Sequence, residues 1–271
     1  MSTRSIRHAV AAERGRRRLP AILGRSALAV ALLCSAAVVQ AADCPPLREP
    51  RIPAIPGPAD TADPINIDKV KTQLRDYHAG NYDYDVAAVV SDARIYVERR
   101  LKEPVTRPAV VLDIDETSLS NWPNLKADDF GFLQDIACDP AALERACGFN
   151  NWVMLAQAPA IAPTRDFFNY LIGKSVAVFF VTGRRESQRA KTLENLERAE
   201  FKGWIKLFTR PDGDKERSIV PFKSGARAEI EAKDNDMGYT IIANVGDQRS
   251  DLAGGHAECI FKIPNPFYFI P

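Results

Sequence analysis

A chain of 271 residues, 46% hydrophobic and 26% charged, has an ordinary globular composition and ample length to bury a core, as one large domain or two small ones. Its net charge of +1 conceals an asymmetry, because residues 1–41 carry seven arginines against the single acid Glu13 and leave 29 basic and 34 acidic residues, net −5, in the remainder. A mildly acidic body argues against a general nucleic-acid-binding surface.

The N-terminus has the layout of a secretory signal. A basic leader precedes an apolar stretch over residues 21–39, and Val39-Gln40-Ala41 offers small residues at a cleavage position. Gly24, Arg25 and Ser26 interrupt that stretch, which is marginal for a bilayer span, so cleavage near Ala41 is expected rather than retention as an anchor. Neither Cys34 nor Cys44 follows the small residue that a lipid-modified cysteine needs, and Arg16-Arg17 leaves a twin-arginine route open. The mature protein is expected to be periplasmic or secreted, with no membrane anchor. Removal of residues 1–41 leaves Cys44, Cys138, Cys147 and Cys259, an even number that permits two disulfides. Cys138 and Cys147 flank a short segment and are expected to pair. Cys44 and Cys259 then remain to staple the N-terminal tail to the last strand.

Residues 42–65 are dense in proline and predict an extended linker, ahead of a domain over residues 66–271. Val70, Leu74 and Tyr77 form one helical stripe, stopped by Gly80-Asn81; Val86, Val89, Val90, Ala93, Val97 and Leu101 form a second, ended before Pro104. His78, at the end of the first helix, has a surface or capping role as its expectation. Residues 109–112 read as a strand buried on both faces and run into Asp113-Ile114-Asp115-Glu116-Thr117. Residues 118–162 are too long for a simple loop and predict a small accessory insertion over the sheet. Its aromatics are expected in the core, with Trp122 a candidate to face a ligand.

From Pro163 the pattern alternates. Phe167, Phe168 and Leu171 mark a helix closed by Gly173; residues 176–181 are an apolar strand ending in Thr182-Gly183-Arg184-Arg185. A helix over 187–199, a strand over 205–208, a helix through Phe222, Ala226 and Ile230, and strands over 239–245 and 259–263 follow. Apolar strands alternating with helices predict an α/β fold, a Rossmann-like parallel sheet with helices on both faces.

In such a sheet the carboxyl ends of the strands share one rim, where ligands bind. Asp113 and Asp115, Thr182, and Asp247 and Asp251 all follow strands, and Lys223 lies near a helix start. This set suits phosphoryl transfer. A carboxylate can attack phosphorus to give an aspartyl-phosphate, splitting one displacement into two easier ones. Positive charge must offset the repulsion between two anions, and magnesium held by Asp113 and Asp247 would supply it. Lys223 and Thr182 would hold the phosphoryl oxygens, and Asp115 would protonate the leaving alkoxide and then accept a proton from water.

These residues are similar to the four ordered motifs of the haloacid dehalogenase (HAD) superfamily: Asp113-Ile114-Asp115-Glu116-Thr117, Thr182, Lys223, and the Gly-Asp-x-x-x-Asp run at Gly246–Asp251. More narrowly, with Phe180-Val181-Thr182-Gly183-Arg184, Phe222-Lys223-Ser224 and Pro264-Asn265-Pro266, the chain resembles the secreted acid phosphatases of the plant acid-phosphatase and vegetative-storage-protein type (subfamily IIIB), over residues 68–271. The resemblance implies Asp113 as nucleophile, Asp115 as acid/base, Thr182 and Lys223 as phosphate ligands, and Mg2+ held by Asp113, the Asp115 carbonyl, Asp247 and Asp251. It also implies a small phosphomonoester substrate and an acidic pH optimum, and leaves the oligomeric state open. Lys215, in an Asp/Gly-rich loop, is a rival to Lys223, which is preferred because a helix start would fix its stem; Arg184 and Arg185 are expected as surface charges ahead of an auxiliary phosphate contact, Arg227 as the partner of an acid, and Gly246 as a turn requirement. A phosphotransferase running through the same intermediate, and a noncatalytic storage or binding protein, are the competing readings. The second is weakened by retention of Asp113. A redox role for Cys138 and Cys147 is disfavoured by their wide spacing.

Overall fold

The computed structural model describes residues 44–48, 51, 66–233 and 236–270, so the expected signal over residues 1–41 lies outside the described residues. Two helices come first, α1 (Ile67–Gly80) and α2 (Tyr82–Arg100). The Asn66 side chain accepts from the backbone N–H of Asp68 and caps α1, and the α1–α2 break falls at Asn81, next to the expected Gly80-Asn81 stop. Then follow β1 (Pro108–Leu112), α3 (Trp122–Ala127), α4 (Phe149–Leu155), α5 (Ala162–Gly173), β2 (Ala177–Arg185), α6 (Arg189–Arg198), β3 (Lys206–Arg210), α7 (Val220–Glu231), β4 (Thr240–Gly246), the short α8 (Arg249–Leu252) and β5 (Cys259–Lys262).

The five strands form one parallel sheet in the order β3-β2-β1-β4-β5. Strand β1 is central, and the chain reverses its direction of travel across the sheet there, which opens a crevice between the carboxyl ends of β1 and β4. Burial on both faces is visible within single strands. Val110, Leu112, Val178 and Phe180 join the larger apolar cluster with residues of α1, α2, α5 and α6. Their neighbours Ala109, Val111, Phe179 and Val181 join the smaller one with Ala226 and Ile230 of α7. A period of two divided between two cores is the reason these strands read as continuous apolar runs.

Leu112 is in register with Phe180 on one side and Val245 on the other, so the residues just beyond them leave the sheet at one level. Strand β2 continues past Val181, where the apolar run ends, through to Arg185. Thr182 pairs with Thr209 and Arg185 with Arg210, so Gly183 and Arg184 form an irregularity opposite β3. A bulge of this kind re-aims a side chain.

Residues 118–162 leave and re-enter the sheet through a narrow neck. Leu119 forms an antiparallel bridge with Ala160, and Ser118 and Ser120 exchange backbone hydrogen bonds with Ile161 and Pro159. Between them lie α3, α4 and the Cys138–Cys147 disulfide, with Cα atoms 4.6 Å apart. The second expected disulfide, Cys44–Cys259, also forms. It draws the described part of the proline-rich segment onto α2, where Arg48 pairs with Asp92 and Arg51 with Asp85.

Trp122 and His78 depart from expectation together. Their rings stack with centroids 3.7 Å apart and planes 6° from parallel, and Tyr82 and Phe267 pack around them. Trp122 therefore faces this aromatic stack, and His78 is half-buried where a surface position was expected. The indole has an imidazole to cover it because α1 ends directly alongside α3. Burial pulls the His78 pKa below its ordinary 6.5, with Asp83 only partly opposing it. A base with a lowered pKa in the fold stabilises it fully above 6.5, and that stability drains away as pH falls through 6.5 towards the lower folded-state value. Melting temperature against pH is therefore expected to be flatter for His78→Phe than for the native chain below pH 6.5. Parallel curves would reject this assignment.

Candidate active site

The crevice at the switch point holds the acids singled out above. Asp113 follows β1 directly, with its backbone N–H donating to the Val245 carbonyl at 3.0 Å and its own carbonyl accepting from the Ser118 hydroxyl at 2.6 Å. Lys223, in the first turn of α7, is buried and donates to Asp113 Oδ1 and Asp251 Oδ1, each at 2.5 Å. The second oxygen of Asp251 accepts from the Gln248 backbone N–H at 2.8 Å. Asp247 Oδ2 accepts from Gln248 Nε2 at 2.7 Å and Asn265 Nδ2 at 2.5 Å. One carboxylate oxygen from each of Asp113, Asp247 and Asp251 lies within 4.8 Å of the others.

Three buried carboxylates facing one lysine carry excess negative charge. Burial raises the Asp113 pKa well above the usual carboxylate range, and Asp251 and Asp247 add to this while Lys223 opposes it. Asp247 is pushed up to about 8, by burial first and then by Asp251. Burial works against the charge of Lys223, but Asp113 and Asp251 outweigh it and raise its pKa. Hard carboxylate oxygens in excess of their counter-charge fit a small divalent cation, which would relieve that repulsion.

Asp115 has a separate environment. The Arg184 guanidinium donates to its Oδ1 through Nη2 at 2.7 Å and through Nε at 3.1 Å, and Asn121 Nδ2 adds a third bond at 2.9 Å. Burial opposes its ionisation, yet the charge and hydrogen bonds of Arg184, with Asn121, hold its pKa below the usual range. Its backbone carbonyl accepts from the Tyr268 hydroxyl at 3.4 Å. Thr182 is fully buried at the end of the regular part of β2, and its hydroxyl accepts from the Arg184 backbone N–H at 3.1 Å.

Of the six sequence-predicted residues, Asp113, Asp247, Asp251 and Lys223 cluster together and Asp115 lines the same cavity, whereas Thr182 is buried at the end of β2 outside the cavity lining. Lys215 is exposed in the loop before α7 and takes no part, whereas the helix holds the stem of Lys223. Other expectations need correction. Arg184 is no surface charge: the β2 irregularity turns it inward, and its side chain is 0% exposed. Arg185 braces the loop after β3 through the carbonyls of Pro211 and Asp214. Among the described residues Arg227 forms no ion pair; it donates to the carbonyls of Asp251, Ala253 and Gly255, at and beyond the end of the short α8, and the first of these also accepts from Asn244 Nδ2. Gly246 is required for space, because a Cβ there would lie 2.5 Å from the Asp251 Cβ. Gln248 and Tyr268 have no signal of their own in the sequence, whereas Asn121 closes the motif segment Asp113–Asn121. Asn265 had a signal, since it sits in the Pro264-Asn265-Pro266 segment.

A cavity of about 440 Å³ opens above the cluster. Asp113, Asp115, Lys223 and Asp247 form its polar floor; Phe130, Phe132, Leu133, Phe149, Ile219 and Phe269 form apolar walls. The ligand-facing place expected for Trp122 falls to the phenylalanines of the same insertion.

Residues 59–271 match the family profile described as HAD superfamily, subfamily IIIB (acid phosphatase). Acid phosphatase 1 of Solanum lycopersicum is 30% identical over 201 residues, covering 73% of each chain. The stem 28 kDa glycoprotein of Glycine max is 31% identical over 71% of each. Vegetative storage protein 2 of Arabidopsis thaliana is 28% identical over 78% of this chain and 77% of its own. Among solved structures, the tungstate-bound class C acid phosphatase of Bacillus anthracis superposes with a TM-score of 0.54 at 20% identity, covering 73% of this chain and 86% of that one. At that identity the likeness speaks for the fold.

Proposed function

This chain belongs to the acid phosphatases of subfamily IIIB of the HAD superfamily, and from that premise we propose that it is an exported, magnesium-dependent phosphomonoesterase working through an aspartyl-phosphate on Asp113. One observation carries the reading. Asp113, Asp247 and Lys223 meet at the floor of a cavity with Asp251 clustered behind them, while Asp115 stands beside them on its own hydrogen-bond network.

The Asp113 carboxylate attacks phosphorus, and the ester oxygen leaves with a proton from Asp115. Lys223 and Thr182 hold the phosphoryl oxygens as charge develops. Asp115, now ionised, then takes a proton from the water that releases phosphate, and general acid–base help of this kind is typically worth ~10²–10⁴-fold. Asp113, the Asp115 carbonyl, Asp247 and Asp251 would hold magnesium, which would offset charge between the attacking carboxylate and the phosphate. Within this scheme residues 118–162 act as an accessory element, and their phenylalanines suit a small phosphomonoester whose leaving group is aromatic or otherwise apolar.

Export to the periplasm or medium is supported by two disulfides and by the N-terminal pattern of residues 1–41. Among the described residues no helix is long and apolar enough to cross a membrane. Storage proteins occur among the relatives, but retention of Asp113 inside the buried cluster favours catalysis.

Metal removal tests the proposal. Chelation is expected to lower phosphate release from phenyl phosphate by ~10²-fold or more, with magnesium restoring it. Magnesium should also raise the melting temperature, because only the folded chain assembles the carboxylates. Undiminished turnover in excess chelator, with no thermal shift on adding magnesium, would reject it.

A further inference from the structure

The two oxygens of Asp115 are not equivalent. Oδ1 accepts from Arg184 Nη2 at 2.7 Å, Arg184 Nε at 3.1 Å and Asn121 Nδ2 at 2.9 Å. Among the described residues Oδ2 has a single hydrogen bond, from Arg184 Nε at 3.2 Å. With three donors already on Oδ1, a proton added to this carboxyl goes to Oδ2.

Both donors are themselves fixed. Arg184 has no exposed side-chain surface, its Nη1 reaches the Thr192 hydroxyl at 3.5 Å, and the β2 irregularity sets its direction. The amide of Asn121 is oriented by Trp152, whose indole N–H donates to Asn121 Oδ1 at 2.9 Å, which leaves the NH2 group to face Asp115. The Trp152 side chain is buried in the insertion, on α4. A chain Trp152–Asn121–Asp115–Arg184 thus runs from the insertion to the end of β2.

We propose that Arg184 and Asn121 are positioning residues that clamp one oxygen of Asp115 so that the other presents its proton to the departing ester oxygen. Neither need touch the substrate. The inference rests on the reading of Asp115 as the leaving-group acid. In the step concerned, the bond from phosphorus to the ester oxygen breaks as the bond from Asp113 to phosphorus forms. The proton on Asp115 Oδ2 passes to that oxygen, which leaves as a neutral alcohol, and Asp115 is left ionised. The guanidinium, with Nη2 on Oδ1 and Nε shared between Oδ1 at 3.1 Å and Oδ2 at 3.2 Å, then faces the carboxylate that forms.

Need for the proton depends on the leaving group. Phenyl phosphate expels a basic phenoxide and needs the acid, whereas 2,4-dinitrophenyl phosphate expels a stable anion without it. The test is kcat/KM for both esters in the native enzyme and in Asp115→Asn, Arg184→Gln, Arg184→Lys and Asn121→Leu, since kcat/KM covers steps up to phosphoryl transfer. The ratio of the two values within one preparation is independent of how much of the protein is folded. Asp115→Asn is expected to lower the phenyl-to-dinitrophenyl ratio by ~10²-fold or more. Arg184→Gln should lower it by at least ~10-fold and Asn121→Leu by less, through misdirection of an acid that is still present. Arg184→Lys keeps the charge but loses the two-pronged grip, so its ratio should fall between those of the native enzyme and Arg184→Gln. If Asp115→Asn lowers the ratio while every Arg184 variant that can be made keeps the native one, the positioning role is wrong and the acid assignment stands. If Asp115→Asn slows both esters equally, the acid assignment fails and the inference fails with it.

Discussion

Asp113→Asn is expected to abolish turnover of an aryl phosphate, by at least ~10⁴-fold, and to leave a folded protein. An amide in the place of Oδ1 and Oδ2 has the same shape but no charge with which to attack phosphorus. The loss should be confined to chemistry. Burial and the neighbouring Asp247 and Asp251 already disfavour the Asp113 anion, and Lys223 keeps its bond to Asp251 when Asp113 is neutralised. The melting temperature is therefore expected to equal or exceed that of the native chain. A companion observation uses the native enzyme: acid quenching during turnover should leave a phosphoryl group on the peptide containing Asp113 and on no other. Native-like activity in the variant, or a phosphoryl group trapped elsewhere, would overturn the role given to this carboxylate.

Gly246→Ala is the substitution expected to damage stability and catalysis together. The added Cβ would stand 2.5 Å from the Asp251 Cβ and 2.7 Å from Asp251 Oδ2, and the first of these atoms lies at the base of its side chain and cannot swing away. Asp251 must shift, and with it go its bonds to the Gln248 N–H and to Lys223. Overpacking of this kind costs ~1–3 kcal/mol. A displacement of about 1 Å in groups that hold a reacting centre can cost ~10²-fold in rate. Gly173→Ala is the matched control, since a Cβ at the end of α5 meets nothing within 4 Å. Its stability should stay within ~1 kcal/mol of native. Denaturant midpoints and kcat/KM for the two variants make the comparison, and a Gly246→Ala protein with native values in both would show that the β4–α8 turn has room it is not credited with here.

Much of this architecture is legible in the residues themselves. Apolar runs at 109–112 and 176–181 are continuous because each strand is covered on both faces, and that continuity distinguishes them from amphipathic helices. The acids follow those runs because a parallel sheet delivers every carboxyl end to one rim, so the site could be assembled from strand ends alone. Lys223 lies at a helix start and Lys215 in a loop, and the burial of one and exposure of the other follow that local distinction.

The misreadings have a common cause. Arg184, Arg227, His78 and Trp122 each take their partners from a segment other than their own. Arg184 reaches an acid 69 positions away, and Arg227 reaches carbonyls 24 to 28 positions away. His78 ends a helix that looks exposed until Trp122 covers it. Gly246 looked like a turn glycine, and the atom that excludes a side chain belongs to Asp251, one turn further on.

The order of strands and helices, the parallel sheet and the acids at its rim are written in local pattern, because periodicity and strand ends are properties of neighbouring residues. Which arginine grips Asp115, how its two oxygens are bonded, and why Gly246 must lack a side chain emerge with the folded chain. Those depend on distances between segments that meet only when the sheet has closed, and no local pattern encodes them.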